Sequence, residues 1–261
     1  MCFLSVTSFT LMSARRSRLD FLRYSFYDRF KRFVKKTNYF KLYEVLMIYV
    51  SPSVLACNFA KLGEEFADIE RAGADMVHLD VMDGMFVTNI SFAFPVIESL
   101  RKVSSMVFDV HLMIQAPERY VERFAKAGAD IITFHYEASE DPAALLKQIR
   151  ALGKKAAISI KPATPAEVLY PLLPLCDMVL VMTVEPGYGG QALIPETLEK
   201  VKALRAEIDR QGLQVDLQVD GGIHGGNAAE AVRAGANVLV AGSAVFGAPD
   251  RAAAIRALKG E

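Results

Sequence analysis

The feature that most constrains the fold is a regular alternation of apolar, β-rich runs with amphipathic helical patterns from residue 47 onward. Successive runs lie about 25 residues apart, the length of one strand, one helix and their connections. Eight runs fit this pattern: 49–57, 76–82, 107–114, 130–137, 155–161, 178–185, 213–220 and 237–246. The count predicts an α/β fold of one domain, a closed (β/α)8 or TIM barrel over residues 47–261.

A short internal repeat supports this count. The segments RAGADMVHLD, KAGADIITFH and RAGANVLVAG each join a helix end to an even-numbered strand, at 71–80, 126–135 and 233–242. Their glycines, Gly73, Gly128 and Gly235, suit the left-handed residue that ends a helix. The alternative is an open doubly wound sheet, but no G-x-G-x-x-G motif follows the first strand, which favours closure.

Residues 1–46 have a different character, with ten Lys or Arg against three acidic residues and neither Gly nor Pro. Three interpretations compete: an organellar transit peptide, a basic amphipathic segment for a membrane or partner, and translation that starts at Met47. We favour the last, because a complete domain begins there. The basic extension is therefore expected to be disordered or a start-site artefact, outside the function.

The overall charge and the cysteines bear on partners and compartment. The chain has no net charge, so nothing points to nucleic acid or an anionic membrane. Its three cysteines, Cys2, Cys57 and Cys176, are too few and too far apart for a disulfide framework, which predicts a cytoplasmic location. The sequence contains no uninterrupted run of 18 apolar residues, so no membrane-spanning helix is predicted.

Polar residues at strand ends identify the candidate site, because TIM barrels carry their chemistry at the carboxyl ends of strands. In HLDVMDG (78–84), the spacing of two directs His78 and Asp80 to one face, while Asp83 falls in the following turn and is interpreted as structural. Asp109 and His111 share a face of strand 3, and Asp220 ends strand 7. Together they could form a mixed nitrogen and oxygen site for a divalent ion.

Glycine-rich loops follow the late strands: EPGYGGQ (185–191), VDGGI (219–223) and AGSAVF (241–246), the last assigned to strand 8. Their unobstructed backbone N–H groups predict a phosphorylated substrate. The Ser53 side chain could hydrogen-bond the substrate or stabilise a turn. Met82, Met113 and Met182 fall near the same barrel mouth and could line the site. His135 has no evident partner and receives no catalytic role.

Six segments together resemble the ribulose-phosphate 3-epimerase family: PSVLACNFAKLGEE, HLDVMDGMFVTNISF, DVHLMIQAPERY, MTVEPGYGGQ, VDGGI and VAGSAVF. The resemblance runs collinearly through 48–250. It implies a ribulose-phosphate-binding barrel that interconverts D-ribulose 5-phosphate and D-xylulose 5-phosphate in the pentose phosphate pathway. It also implies a homo-oligomer and one divalent metal ion, with Zn²⁺, Fe²⁺, Mn²⁺ and Co²⁺ all compatible with a His₂/Asp₂ set.

The resemblance also assigns roles to individual residues. The implied metal ligands are His78, Asp80, His111 and Asp220, and the implied acid/base pair is Asp80 with Asp220. The implied substrate and phosphate residues are Ser53, His111, Gly187, Tyr188, Gly189, Gly190, Asp220, Gly221, Gly222, Gly242 and Ser243. Three positions depart from the family's common residues, namely Asn58, Met85 and Thr88, and they leave the implied ligands intact.

Two carboxylates beside a metal suit epimerisation next to a carbonyl, in which a proton leaves one face and returns to the other through an enediolate. An epimerase of a six-carbon ketose phosphate, such as allulose 6-phosphate, would differ only in pocket width. A related decarboxylase is expected to carry a lysine near the aspartates, and 76–91 has none. A non-catalytic phosphosugar-binding barrel would tolerate loss of one carboxylate, yet both are present.

Overall fold

Eight parallel strands form one sheet in the computed structural model, which describes residues 47–261. The strands are β1 Tyr49–Pro52, β2 Met76–Met82, β3 Val107–Met113, β4 Ile131–His135, β5 Lys155–Ile160, β6 Met178–Met182, β7 Asp216–Asp220 and β8 Val238–Ala241. Their order is β1-β8-β7-β6-β5-β4-β3-β2, and one parallel bridge from Ser53 to His78 joins the two ends. The predicted (β/α)8 barrel is confirmed. The three interpretations of residues 1–46 lie outside the described residues.

Helices connect the strands on the outside of the barrel. They are α1 Leu62–Arg71, α2 Phe94–Arg101, α3 Val121–Ala127, α4 Pro142–Ala151, α5 Thr197–Arg210, α6 Ala228–Ala234, α7 Ser243–Phe246 and α8 Arg251–Lys259. Between β5 and β6 the chain makes two 3₁₀ turns instead, Ala166–Leu169 and Leu173–Leu175. Pro171 and Pro174 lack the N–H groups that an α-helix would need there. No helix within 47–261 has the length and apolar character to cross a membrane.

The two faces of each strand belong to different layers of the core. On β2, Val77, Leu79 and Val81 face outward and join the main core with helix residues such as Phe66. The strand residues of opposite parity form a second apolar cluster near the amino ends, made of Met76, Ile131, Ala157, Met178 and Val238. This apolar plug closes one end of the barrel, so polar side chains are concentrated at the other end.

The repeated glycines end helices as predicted. Gly128 and Gly235 cap α3 and α6 with φ of 118° and 115°, and Gly73 follows α1 with φ of 90°. Each cap turns the chain into the next even-numbered strand, so the three copies of the repeat share one local structure.

Two predicted strands end five residues earlier than the sequence suggested. The first ends at Pro52, because the Ser53 hydroxyl accepts from the Leu55 N–H and starts a 3₁₀ turn over Val54–Ala56. The eighth ends at Ala241, the last residue paired with β1, and Ser243–Phe246 is helix α7, not strand. Strands β3 to β7 are also shorter by one to three residues at one or both ends.

Candidate active site

Four predicted side chains converge at the carboxyl-terminal mouth of the barrel: His78 and Asp80 from β2, His111 from β3 and Asp220 from β7. One ligand atom from each lies within 4.8 Å of the others. His78 Nε2 and His111 Nδ1 are 3.2 Å apart, and Asp80 Oδ1 is 3.3 Å from both nitrogens. Asp220 Oδ2 lies 3.6 Å and 3.7 Å from the same two nitrogens. The group spans the barrel from β2 to β7.

The donor set fits a divalent cation. Ligands about 2.0–2.1 Å from a tetrahedral ion are separated by about 3.3–3.4 Å, close to the spacings here. Two imidazole nitrogens and two carboxylate oxygens suit the borderline divalent ions. The sequence-based prediction of a divalent metal site therefore agrees with the geometry of these four side chains.

The outer nitrogen of His78 is held by Asp109. Asp109 Oδ2 lies 2.7 Å from His78 Nδ1 and also accepts from Gln218 Nε2 at 2.6 Å, across the barrel from β7. The Ser51 hydroxyl is 3.4 Å from the same oxygen. All four residues are fully buried. Asp109 is thus a support behind His78, where a carboxylate fixes the ring orientation of a ligating imidazole.

The outer nitrogen of His111 is held by His135, which the sequence analysis left without a role. His111 Nε2 and His135 Nε2 are 2.9 Å apart, and His135 Nδ1 lies 3.4 Å from Glu137 Oε2. Burial lowers the pKa of His135 to about 4, which the neighbouring Glu137 only partly opposes. The available signal was the spacing of two in His135 and Glu137 at the end of β4, next to the strand that carries His111.

The two carboxylates of the cluster differ in their proton affinity. Burial alone would raise the pKa of Asp80, but the charges and hydrogen bonds of His78 and His111 hold it well below its usual value. Burial raises the pKa of Asp220 to about 6; the His78 charge opposes this rise, and the Asp80 charge adds to it. Carboxylates with opposed proton affinities are a typical acid/base pair.

A cavity of about 960 Å³ opens above this cluster. His78 and His111 do not line it; they are fully buried behind Asp80 and Asp220, which do. The other predicted site residues all line it: Ser53, Asp80, Met82, Met113, Met182, Gly187, Tyr188, Gly189, Gly190, Asp220, Gly221, Gly222, Gly242 and Ser243.

Comparison with known proteins gives the same picture over nearly the whole barrel. The sequence profile described as the Ribulose-phosphate 3 epimerase family matches residues 49–246. The chain belongs to this family. It is 49% identical over 214 residues to the ribulose-phosphate 3-epimerase of Synechocystis sp., covering 81% of this chain and 93% of that protein. It is 45% identical over 215 residues to the Bacillus subtilis ribulose-phosphate 3-epimerase, covering 82% and 99%.

The ribulose-phosphate 3-epimerase family shares its fold with more distant barrels. The 3-hexulose-6-phosphate synthase of Salmonella typhimurium is 15% identical, with a TM-score of 0.62 over 82% of this chain and 97% of that one. KGPDC of Streptococcus mutans is 16% identical, with a TM-score of 0.62 over 82% and 96%. At this identity the likeness shows the fold alone.

In this epimerase-family barrel, the loops after β6 and β7 pack against each other through glycine. Gly222 has φ of 68°, and a Cβ there would overlap the backbone nitrogen of Leu193. Gln191 Nε2 donates to the carbonyl oxygens of Glu185 and Tyr188 and holds the β6 loop in shape. Glycine is needed here both for its backbone conformation and for the close packing, and Gly222 lines the cavity with its backbone.

The methionines predicted to line the site lie in two small apolar clusters at the mouth of this family's barrel. Met82 and Met113, opposite each other in the β2–β3 register, pack with Val87. Met182 packs with Leu180 and Val184 on the β6 side. The cluster of His78, Asp80, His111 and Asp220 is therefore flanked on two sides by methionine sulfur and hydrocarbon.

Asp83 has the structural role that the sequence predicted. Its Oδ1 accepts from the Met85 and Phe86 N–H groups, and its Oδ2 accepts from the Gln115 N–H at 2.8 Å. One carboxylate thus shapes the β2–α2 loop and ties it to the loop after β3. The three positions that depart from the epimerase family, Asn58, Met85 and Thr88, are exposed and outside the four-residue cluster.

Proposed function

We propose that this chain is a metal-dependent isomerase that interconverts D-ribulose 5-phosphate and D-xylulose 5-phosphate in the pentose phosphate pathway. The observation that carries the proposal is the pair of carboxylates, Asp80 and Asp220, which line one cavity and lie beside two buried imidazoles. Family membership supports the activity, and the glycine-rich loops around the same cavity support a phosphorylated substrate.

The reaction removes the proton from the carbon beside the carbonyl on one face and returns a proton on the other. A carboxylate with an ordinary pKa of about 4 is a weak base toward such a C–H bond. His78, Asp80, His111 and Asp220 would hold a divalent cation, which when bound supplies Lewis-acid stabilisation for the negative charge on the substrate oxygens. Weakly basic carboxylates at this site can then remove the proton.

Asp80 and Asp220 move the protons. They come from β2 and β7, so they reach the substrate from different sides of the barrel, and each acts as base in one direction and acid in the other. The Ser53 hydroxyl donates to Asp80 Oδ2 at 2.6 Å and fixes that carboxylate. Met82, Met113 and Met182 exclude water from the reacting carbon, and the loops at 187–190, 221–222 and 242–243 receive the phosphate.

The decisive experiment incubates the full chain with D-ribulose 5-phosphate in deuterated water, with Zn²⁺, Fe²⁺, Mn²⁺ or Co²⁺ supplied in turn. We expect D-xylulose 5-phosphate with deuterium at C3, observed by NMR. Absence of both product and deuterium with every metal would overturn the proposal. The metal that gives the highest rate identifies the preferred cofactor.

An epimerase of a six-carbon ketose phosphate remains a second candidate, because a cavity of about 960 Å³ has room for one more carbon. Parallel measurements of kcat/KM for ribulose 5-phosphate and allulose 6-phosphate decide between them. We expect the five-carbon substrate to be preferred. A larger kcat/KM for allulose 6-phosphate would reverse the assignment.

Homo-oligomerisation and a cytoplasmic location complete the proposal. The first rests on family resemblance and is tested by light scattering of the purified chain. The second rests on the sparse cysteines, of which Cys57 and Cys176 are free thiols. A relative from Arabidopsis thaliana, 46% identical, is named as chloroplastic. Localisation of the full chain and of a chain starting at Met47 tests both the compartment and the interpretation of residues 1–46.

A further inference from the structure

His135 is a buried histidine that the proposed reaction does not use. It lies between the implied metal ligand His111 and the carboxylate of Glu137, with no exposed surface. Its ring stacks on His111 at a centroid distance of 5.0 Å, and Phe86 packs against it at 4.7 Å. A histidine that only filled space would not need a nitrogen 2.9 Å from the nitrogen of a ligand.

The position of one proton links His135 to metal binding. Because His111 faces the cluster with Nδ1, that nitrogen must keep its lone pair to bind a cation, which leaves the ring proton on Nε2. Only one proton fits between the His111 and His135 Nε2 atoms. If His135 carried it, His111 would have to protonate Nδ1 to remain a neutral imidazole, and the metal position would be blocked. His135 must therefore present a bare Nε2 and carry its own proton on Nδ1.

Glu137 favours this tautomer of His135. A protonated Nδ1 faces the carboxylate 3.4 Å away favourably, whereas a lone pair in the same place would be repelled by it. The distance is long for a hydrogen bond, so the effect is mainly that of charge at close range in a buried site. Glu137 itself is anchored, since its Oε1 accepts from the Lys161 N–H at 2.8 Å and from the Thr164 hydroxyl.

We propose that Glu137 and His135 are positioning residues that set the His111 tautomer and thereby prepare the metal site. Glu137 places the proton of His135 on Nδ1, and the bare Nε2 of His135 then holds the proton of His111 on Nε2. His111 is thus oriented through two residues, His135 and Glu137, whereas His78 is oriented by one, through the Asp109 carboxylate at 2.7 Å. The proposal rests on the metal-dependent function proposed above.

Imidazole ¹⁵N NMR of the Zn²⁺-loaded full chain tests the proton positions directly. The chain has only 4 histidines, so each ring can be assigned. We expect His111 protonated at Nε2 and His135 protonated at Nδ1 with an unprotonated Nε2. A His135 ring protonated at Nε2 would overturn the proposal.

Metal affinity, measured by competition with a chromophoric chelator, tests the consequence. His135→Phe keeps a packed ring but removes the acceptor, and we expect Zn²⁺ to bind about 10- to 100-fold more weakly. His135→Gln restores an acceptor oxygen and should recover most of the affinity. Glu137→Gln removes the charge and replaces one accepting oxygen by an NH₂ group, and we expect a smaller loss together with a mixed His135 tautomer in the ¹⁵N spectrum.

Thr133→Val is the matched control, because Thr133 is another fully buried polar residue of β4, paired in register with His111. It should leave Zn²⁺ affinity unchanged. Equal losses in Thr133→Val and His135→Phe, or no recovery in His135→Gln, would show a packing role and overturn the proposal. If His135→Phe fails to fold, Glu137→Gln serves as the test. Wild-type Zn²⁺ affinity and an unchanged His135 tautomer in Glu137→Gln would then overturn the proposal.

The outcomes also separate this proposal from the proposed function. A wild-type chain that binds Zn²⁺ with the expected tautomers but does not epimerise ribulose 5-phosphate would overturn the proposed function. It would leave the positioning role of Glu137 and His135 intact. A wild-type chain that binds no divalent cation would overturn both.

Discussion

The two carboxylates of the cluster are chemically identical but differently held. The Asp80 side chain is 4% exposed, and both of its oxygens are engaged, Oδ1 at 3.3 Å from the two imidazoles and Oδ2 by the Ser53 hydroxyl. The Asp220 side chain is 15% exposed and lies farther from the same imidazoles, at 3.6 Å and 3.7 Å. The pKa of Asp80 is held low, and burial raises that of Asp220. Asp80 is thus ionised before the reaction begins, while Asp220 is closer to protonation near neutral pH.

The largest effect should come from neutralising either carboxylate. We expect Asp220→Asn to lower kcat by about 10²- to 10⁴-fold, because it loses a proton-transfer group, while inhibition by inorganic phosphate stays nearly unchanged. Asp80→Asn should lower kcat at least as much and also weaken metal binding more, because its oxygen is closer to both imidazoles. Steady-state kinetics with metal titration measures both.

The control for this pair is Glu199→Gln, an exposed carboxylate on α5 that pairs only with Lys202 among the described ion pairs. It should behave as wild type. Near-normal turnover in Asp220→Asn would refute its role as acid or base, and equal metal affinity in the two aspartate variants would remove the asymmetry between them.

Chelation of the metal should have the next largest effect. A ligand that binds only the folded state stabilises it by about 2.7 kcal/mol at 100 times its Kd. We therefore expect a chelator to lower both activity and Tm, with both restored by a divalent cation. The restored Tm shift should be smaller in Asp80→Asn than in Asp220→Asn. Full activity after exhaustive chelation would be incompatible with the metal site.

Removing the hydroxyl that holds Asp80 should have a moderate effect. Ser53→Ala deletes a 2.6 Å hydrogen bond to a carboxylate, worth about 1.5–3 kcal/mol, and we expect at least a tenfold loss of kcat. Ser51→Ala is the matched variant, since its hydroxyl contacts Asp109 at 3.4 Å, and it should lose less. Wild-type kcat in Ser53→Ala would show that the Asp80 carboxylate does not depend on Ser53.

The smallest effect should come from Asp83, the third acid of HLDVMDG. Burial opposes ionisation, but hydrogen bonds from the backbone N–H groups of Gln115, Phe86 and Met85 together lower the pKa of Asp83 below its usual value. A lowered folded-state pKa stabilises the fold above the unfolded value of about 3.9, and this stability is lost as pH falls through the folded value.

We therefore expect Asp83→Asn to unfold more easily by roughly 1 kcal/mol at pH 7, as for the loss of a helix cap, with the difference disappearing in acid. Urea unfolding at pH 7 and pH 3 measures it. A difference that grows on acidification would contradict the assignment.

Sequence reasoning succeeded where a pattern is local. The spacing of two placed His78 and Asp80 on one face of β2, and the repeated glycines marked helix ends. It failed where a contact depends on a different strand: nothing near Gln218 indicates that it reaches Asp109 across the barrel. The predicted end of β8, at residue 246, was wrong for the same reason. The strand stops at Ala241, where its neighbours stop pairing with it.

The single bridge between Ser53 and His78 has a consequence for folding. Every other neighbouring pair of strands in the barrel is joined by a ladder of at least three residue pairs, so the seam between β1 and β2 is the weakest joint of the described sheet. The residues that close this joint, together with Asp80, are those that organise the reaction centre. Hydrogen exchange in β1 should therefore slow when a cation is bound, and the centre forms only when the ring of strands is complete.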